Sequence, residues 1–232
     1  MNALILAAGL GTRLQGIAAE TPKPMMEIGG TPLLDLLIRK LLNLGVNNIL
    51  INTHHKHEVI ENYIAQQDYK EKIRLVYEEK LLGTAGTLKA NIDFLSTSDF
   101  FVLHGDNYFD DDLLNLLAAH KKTDEKILLT MGTFITSTPE SCGTVLCDQN
   151  RVVIEFYEKE RNSPSREANS AIFIMKPELT EEIRDLAKNE NDISRDLIPK
   201  LLGQIYAFPF SGNFIDIGTP ETLAAAKKLA LS

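Results

Sequence analysis

The chain opens on the apolar run Ala3-Leu4-Ile5-Leu6, and runs of this kind recur with helical stripes between them. This first run predicts a strand over 3–8. Leu33, Leu34, Leu37, Leu41 and Leu44 follow at spacings of three and four, which puts one apolar stripe on a helix over 32–44. Asn48-Ile49-Leu50-Ile51 predicts a strand over 48–53 of the kind buried on both faces. A helix over 57–66, a strand over 73–77, a helix over 85–95, a strand over 100–105, a helix over 110–121 and a strand over 126–133 continue the alternation. Strands separated by helices predict a mainly parallel sheet with helices on both faces.

After residue 134 the rhythm changes. Strands are predicted over 143–148, 151–157 and 168–176, with helices over 178–188 and 193–202, a strand over 213–217 and a last helix. The polar loop 159–167, which contains Pro164, is expected to be the most mobile connection. The whole reads as an α/β fold, Rossmann-like, with a mainly parallel sheet flanked by helices and a smaller mixed β lobe. No repeat or linker composition interrupts it, so a single domain over 1–232 is expected.

Composition narrows the partners. The 232 residues are 44% hydrophobic and 24% charged, enough for a sizeable core. A net charge of -8 is the wrong sign for a protein that grips nucleic acid. Cations that meet a small anionic substrate must therefore be concentrated in particular loops. No window has the apolar length of a membrane span, and no basic leader opens the chain, so a cytoplasmic location is expected. Cys142 and Cys147 are separated by an odd number of positions in a strand-like stretch and would face opposite sides, which suits neither a metal clip nor a disulfide.

Candidate chemistry gathers where strands end. Ala8-Gly9-Leu10-Gly11-Thr12-Arg13 turns straight out of the first strand. Gly9 and Gly11 let backbone N–H groups approach phosphate oxygens, and the Arg13 guanidinium adds a planar fork of charged donors. Leu14 stands where a Rossmann fingerprint needs a third glycine, and no Gly-Lys-Ser/Thr of a Walker loop is present. Thr21-Pro22-Lys23-Pro24 fixes a second cation, Lys23, between two prolines. Asp106 ends the strand Phe100-Phe101-Val102-Leu103-His104, and Asp216 lies in Phe214-Ile215-Asp216-Ile217-Gly218-Thr219-Pro220. Strand ends of open α/β sheets are where ligands lie. Asp110, Asp111 and Asp112 read instead as a helix cap and first-turn acids, and His54-His55-Lys56-His57 as a loop and helix start. His104 reads as packing beside the strand. No Ser/His/Asp or Cys/His arrangement stands out.

The Gly-x-Gly-Thr-Arg loop followed by Thr21-Pro22-Lys23-Pro24-Met25 resembles the signature of the sugar-1-phosphate nucleotidyltransferases. The likeness runs the length of the chain and implies a GT-A-like fold, with nucleotide binding in about 1–134 and sugar binding in about 135–232. It implies that Ala8, Gly9, Gly11, Thr12 and Arg13 hold the nucleotide, and that Leu82-Gly83-Thr84-Ala85-Gly86 is a second nucleotide element through Gly83, Thr84 and Gly86. Glu78 sits where that family places a residue reading the base. A carboxylate accepts two hydrogens in parallel, which guanine offers and uracil does not. Asp106 and Asp216 match the family's magnesium ligands. Gly143, Glu158, Lys159 and Asn169 match its sugar-phosphate residues, Glu158 on sugar hydroxyls and Lys159 on the phosphate. Arg13, Lys23 and Asp106 are the implied catalytic groups.

Three positions depart from that pattern. Leu14-Gln15-Gly16-Ile17 replaces the commoner Leu-Arg-Pro-Leu, Glu160 replaces a proline, and Ala171 stands where glycine is usual and narrows the sugar pocket. The resemblance implies condensation of GTP with a mannose- or heptose-type 1-phosphate using Mg²⁺, in the service of surface polysaccharide. Uridylyl or cytidylyl transfer, a catalytically silent nucleotide-sugar sensor and a dinucleotide-dependent oxidoreductase remain alternatives. The residues leave the oligomeric state, a homodimer included, open. The chain has no room for an appended β-helix domain, so acetyltransfer is not expected.

Overall fold

The protein is described by a computed structural model covering residues 1–14 and 21–231. The departure at Gln15-Gly16-Ile17 lies outside the described residues. The chain forms two compact units that interleave along the sequence. The first comprises Met1–Leu81, Leu103–Asp110 and Gly212–Ser232, the second Leu82–Val102 and Asp111–Ser211.

In the first unit three strands run parallel. Asn2–Leu6 pairs with Asn48–Thr53, which pairs in turn with Ile73–Tyr77. Ala3, Leu4, Ile5, Ile49, Leu50 and Ile51 are fully buried, as the continuous apolar runs predict for strands covered on both faces. The helix Leu33–Asn43 buries Leu33, Leu34, Leu37, Ile38 and Leu41 on one stripe. His57–Ala65 buries Ile60 and Ile64. Pro220–Leu229 starts from a capping box in which Thr219 and Thr222 satisfy each other's backbone N–H groups.

The second unit holds a mixed sheet. Glu167–Met175 runs antiparallel to Leu129–Ile135, and Gly143–Cys147 runs antiparallel to Val153–Glu158 and bridges Ala168 through Thr144. Ile205–Pro209 pairs in parallel with Leu129–Ile135. The α/β class with a mixed β lobe is therefore as expected.

Several element boundaries differ from expectation. The first strand stops at Leu6 because the Ala7 N–H turns to the Asn52 side chain. Asn91, at φ -118° and ψ 15°, divides the helix expected over 85–95 into Thr84–Ala90 and Ile92–Leu95. The helix expected over 110–121 starts only at Leu113, after the short strand Asn107–Phe109, because that strand pairs antiparallel with Phe214–Asp216. The helix expected over 178–188 shrinks to Thr180–Arg184, and that over 193–202 becomes a π turn, Ile193–Leu197, and a 3-10 turn, Ile198–Leu201, that carries Pro199. The strand Ile205–Pro209 is not among the expected elements. Both cysteines are free, and burial pushes the Cys147 thiol up to about 11. No helix among the described residues is long and apolar enough to cross a membrane.

Candidate active site

The first unit brings four of the candidate charged residues together. Beyond Leu6 the chain enters the glycine loop, where Ala7 and Ala8 are buried and Thr12 to Leu14 form a 3-10 turn closed by the Leu14 N–H on the Gly11 carbonyl at 3.0 Å. Leu14 is fully buried, so this turn is anchored in the core while Arg13 points outward with 64% of its side chain exposed. Gly11 has φ 67°, which demands glycine. Gly9 is different: its backbone is not left-handed, and a Cβ there would meet no atom within 4 Å. No neighbour among the described residues requires glycine there.

Lys23 sits in a 3-10 turn between Pro22 and Pro24, with only 9% of its side chain exposed. A nearly buried ammonium needs a counter-charge. Asp106 supplies it, Nζ to Oδ2 at 3.1 Å. Gly105 lets that aspartate arrive: its N–H donates to the Leu6 carbonyl at 2.9 Å, and an added Cβ would lie 3.0 Å from the same oxygen.

Asp216 reaches the same place from the far end of the sequence. In the ribbon Phe214–Asp216 with Asn107–Phe109, Asp216 is registered against Asn107, and the Ile217 N–H donates to the Asp106 carbonyl at 3.0 Å. Arg13 approaches Asp216 at 3.8 Å, and Gly218 leaves space for that approach, since a Cβ there would lie 3.0 Å from the guanidinium. The Asp216 carboxyl is held above its ordinary value, first by lost hydration and then by the Asp106 charge, while Lys23, Arg13 and His104 oppose the rise. With 49% of the Asp216 side chain still exposed, that loss of hydration is partial. Two carboxylates pressing on each other across a partly open site form a hard-oxygen pair that fits a divalent cation. Among the described residues no group of three or more His, Cys, Asp or Glu side chains has metal-binding placement. A metal ion would draw two protein ligands here, Asp106 and Asp216, and the rest from phosphate and water.

Glu78 follows the strand Ile73–Tyr77 and is buried at 5% exposure. Its Oε1 accepts from Asn52 Nδ2 at 2.9 Å, its N–H donates to the Thr53 carbonyl at 2.8 Å, and its carbonyl accepts from His54 Nδ1 at 2.7 Å. The histidine tract thus serves structure: His54 pins Glu78, and His57 opens a helix and bonds Glu61 at 3.0 Å. The acidic run is structural too. Asp112 caps its helix through the Leu114 N–H at 2.8 Å, and Asp110 receives the Asn213 N–H at 2.6 Å.

The second unit holds the remaining candidates. Gly83, at φ 79°, faces the Asn191 carbonyl, into which an added Cβ would run. That same carbonyl accepts from Ala85 N–H at 2.9 Å and Gly86 N–H at 3.4 Å, and Thr84 Oγ1 accepts from Ile193 N–H at 2.8 Å. The first N–H groups of this short helix are spent on the protein itself. Gly143 stands opposite Glu158 in the strand pair, and a Cβ there would run into the Phe156 ring and lie 2.7 Å from Glu158 Oε2, so glycine leaves room for both side chains. Lys159 adopts φ 57°, its N–H on the Cys142 carbonyl at 3.0 Å and its ammonium 3.5 Å from Glu158. Asn169 Oδ1 accepts from the Ala171 N–H at 2.8 Å and so braces Ala171 at φ 54° where Glu167–Met175 bulges.

With this geometry in place, the comparisons decide the family. The family model described as nucleotidyl transferase matches residues 2–232. The chain belongs to the nucleotidyl transferase family. A D-glycero-alpha-D-manno-heptose 1-phosphate guanylyltransferase of Campylobacter jejuni is 31% identical over 95% of this chain and 96% of its own length. A UTP–glucose-1-phosphate uridylyltransferase of Synechocystis is 33% identical over 94% of this chain, which spans 60% of that protein. Among solved structures, HddC from Yersinia pseudotuberculosis complexed with GMP-PN superposes with a TM-score of 0.79 at 28% identity, covering 98% of each chain.

Within this nucleotidyl transferase, the residues that sequence reasoning passed over are the supports. Asn52, Asn191, Gly105 and Gly218 each place a candidate residue: Asn52 through its side chain, Asn191 through its carbonyl, and the two glycines by the room they leave. Gly105 and Gly218 could have been picked out as glycines beside an acid at a strand end. Asn52 and Asn191 carry no local signal, because the groups they bond come from distant parts of the sequence.

Proposed function

We propose that this enzyme condenses GTP with a sugar-1-phosphate of mannose or heptose type, releasing a GDP-sugar and pyrophosphate, with Mg²⁺ as its metal ion. The observation that carries the reaction is the meeting of Lys23, Asp106, Asp216 and Arg13 where the strands of the first unit end. A sugar-1-phosphate is an anionic oxygen nucleophile at neutral pH, so attack on the α-phosphorus needs no general base. What it needs is alignment of two anions and relief of charge. Arg13, exposed and only loosely paired, takes the departing β- and γ-phosphates, and Gly9 and Gly11 open backbone N–H groups to the same anion. Lys23, held by Asp106, stabilises charge at the transferred phosphoryl group. A divalent cation on Asp106 and Asp216 supplies further neutralisation of phosphate charge.

The nucleotide side is drawn mostly from about residues 1–134, with Asp216 reaching in from the C-terminal part, and the sugar side from about 135–232. Gly83, Thr84 and Gly86 serve base and ribose rather than phosphate, since the Ala85 and Gly86 N–H groups are already spent on the Asn191 carbonyl. Glu158 takes sugar hydroxyls, Lys159 the sugar phosphate, and Asn169 and Gly143 line the sugar. Glu78, buried and oriented by Asn52, supports guanine as the base, and the guanylyltransferase from Campylobacter jejuni supports the heptose-type sugar. The uridylyltransferase from Synechocystis favours UTP with a hexose as the second reading.

Incubation with four nucleoside triphosphates against a panel of sugar-1-phosphates, read by pyrophosphate release, tests this. GTP with a mannose- or heptose-type phosphate should give the highest kcat/KM. Nucleotide binding without any turnover would replace the enzyme with a sensor.

A further inference from the structure

We propose that Asn52 is a positioning residue whose single amide ties selection of the base to holding of the triphosphate. The inference rests on the reading of Glu78 as the group that contacts the base. Asn52 is 3% exposed near the end of the strand Asn48–Thr53. Its Oδ1 accepts from the Ala7 N–H at 2.8 Å, at the entrance to the glycine loop, and its Nδ2 donates to Glu78 Oε1 at 2.9 Å.

Only one orientation of the amide works. A backbone N–H can only donate and an ionised carboxylate can only accept, so a flipped side chain would set NH₂ against N–H and oxygen against oxygen. The requirement for a donor at one end and an acceptor at the other also makes asparagine hard to replace. Aspartate would keep the acceptor for Ala7 and set a like charge against Glu78, and leucine would fill the space while removing both buried hydrogen bonds. Glu78 is already pinned along its backbone by Thr53 and His54. Asn52 adds a hold on the carboxylate itself, at Oε1. Through the other end of the same amide, it sets where the chain leaves the strand for Gly9.

The two arms can be separated. Dissociation constants for GTP, UTP and inorganic tripolyphosphate, with a divalent cation at alkaline pH, are to be measured for wild type, Asn52→Asp and Asn52→Leu. Tripolyphosphate has no base and reads the loop alone. Asn52→Asp should lose the wild-type preference between GTP and UTP by about tenfold, the order expected for one lost buried hydrogen bond to a carboxylate, and keep tripolyphosphate affinity. Asn52→Leu should lose both. Asparagine in a merely structural role would move stability without this split. Wild-type base preference in Asn52→Asp, or loss of tripolyphosphate affinity equal in both variants, overturns the assignment. If Asn52→Leu does not fold, the selectivity and tripolyphosphate values of Asn52→Asp decide alone. A wild type that prefers UTP ends the guanine reading instead, and Asn52 is then judged by the change in that preference.

Discussion

The strand ends of the first unit and the antiparallel strands of the second build their candidate residues by opposite means. In the first, parallel strands stop and glycine lets the backbone come close, so Gly11 and Gly105 make room for loops that carry Arg13 and Asp106. In the second, antiparallel strands continue, and residues with side chains are forced into the left-handed region: Lys159 at φ 57° and Ala171 at φ 54°. Such angles strain an L-residue and persist only where neighbours hold them. Asn169 holds Ala171, and the Cys142 carbonyl holds Lys159. A glycine turn can thus be recognised from its own residues, whereas a braced bulge depends on partners elsewhere in the chain.

The sharpest way to break this contrast is at the acidic pair. Asp216→Asn should lower turnover by at least about a hundredfold, as removal of a preorganised charge does. Thermal unfolding should show stability unchanged or slightly raised, because the fold disfavours that ionised carboxyl. A variant that is active, or that unfolds easily, would place Asp216 among structural residues.

Two glycines separate shape that the fold requires from shape that it does not. Gly83→Ala should cost about 2–4 kcal/mol in denaturant unfolding, since it adds a left-handed Cβ against the Asn191 carbonyl. Gly9→Ala has open space and should change stability by less than about 0.5 kcal/mol. Its nucleotide affinity, measured by calorimetry, should nevertheless fall by about tenfold, the scale of one lost hydrogen bond to a charged oxygen. Equal behaviour of the two variants would erase the distinction.

Within the second unit, Glu167 measures how far the sheet depends on charge. Burial alone would raise its carboxyl, but the Arg151 fork and the Thr133 hydroxyl outweigh burial and hold it below the ordinary value. A depressed carboxylate contributes stability above its unfolded value and loses it as pH falls through the folded one. Glu167→Gln should therefore be about 1–2 kcal/mol less stable at neutral pH, with the gap closing in acid. A gap independent of pH would assign the loss to packing.

The smallest effect is expected at the bulge. Ala171→Gly should raise stability by about 0.5–1 kcal/mol, the left-handed strain relieved less the added chain entropy. No gain would mean that Asn169 already relieves the angle.

Periodicity made the parallel strands and the helix Leu33–Asn43 legible, because local burial on both faces writes continuous apolar runs. The glycine loop, Lys23, Asp106 and Asp216 stood out as candidates because glycines, a cation between prolines and carboxylates lie beside strand ends. The short strand Asn107–Phe109 was not legible: it is a strand only because it pairs with Phe214–Asp216 across most of the chain. The turn at Ile193–Leu201 reads as a helix until Asn191 is seen bonded to Ala85.

The sequence by itself determined the α/β class and which residue types could meet a phosphate, since both follow from spacing along the chain and from side-chain chemistry. Only the tertiary structure decided that Asp106 and Asp216 share one site and that Asn52 joins Ala7 to Glu78. Those contacts close loops of many residues, and no local pattern records which distant partner will satisfy a buried polar group.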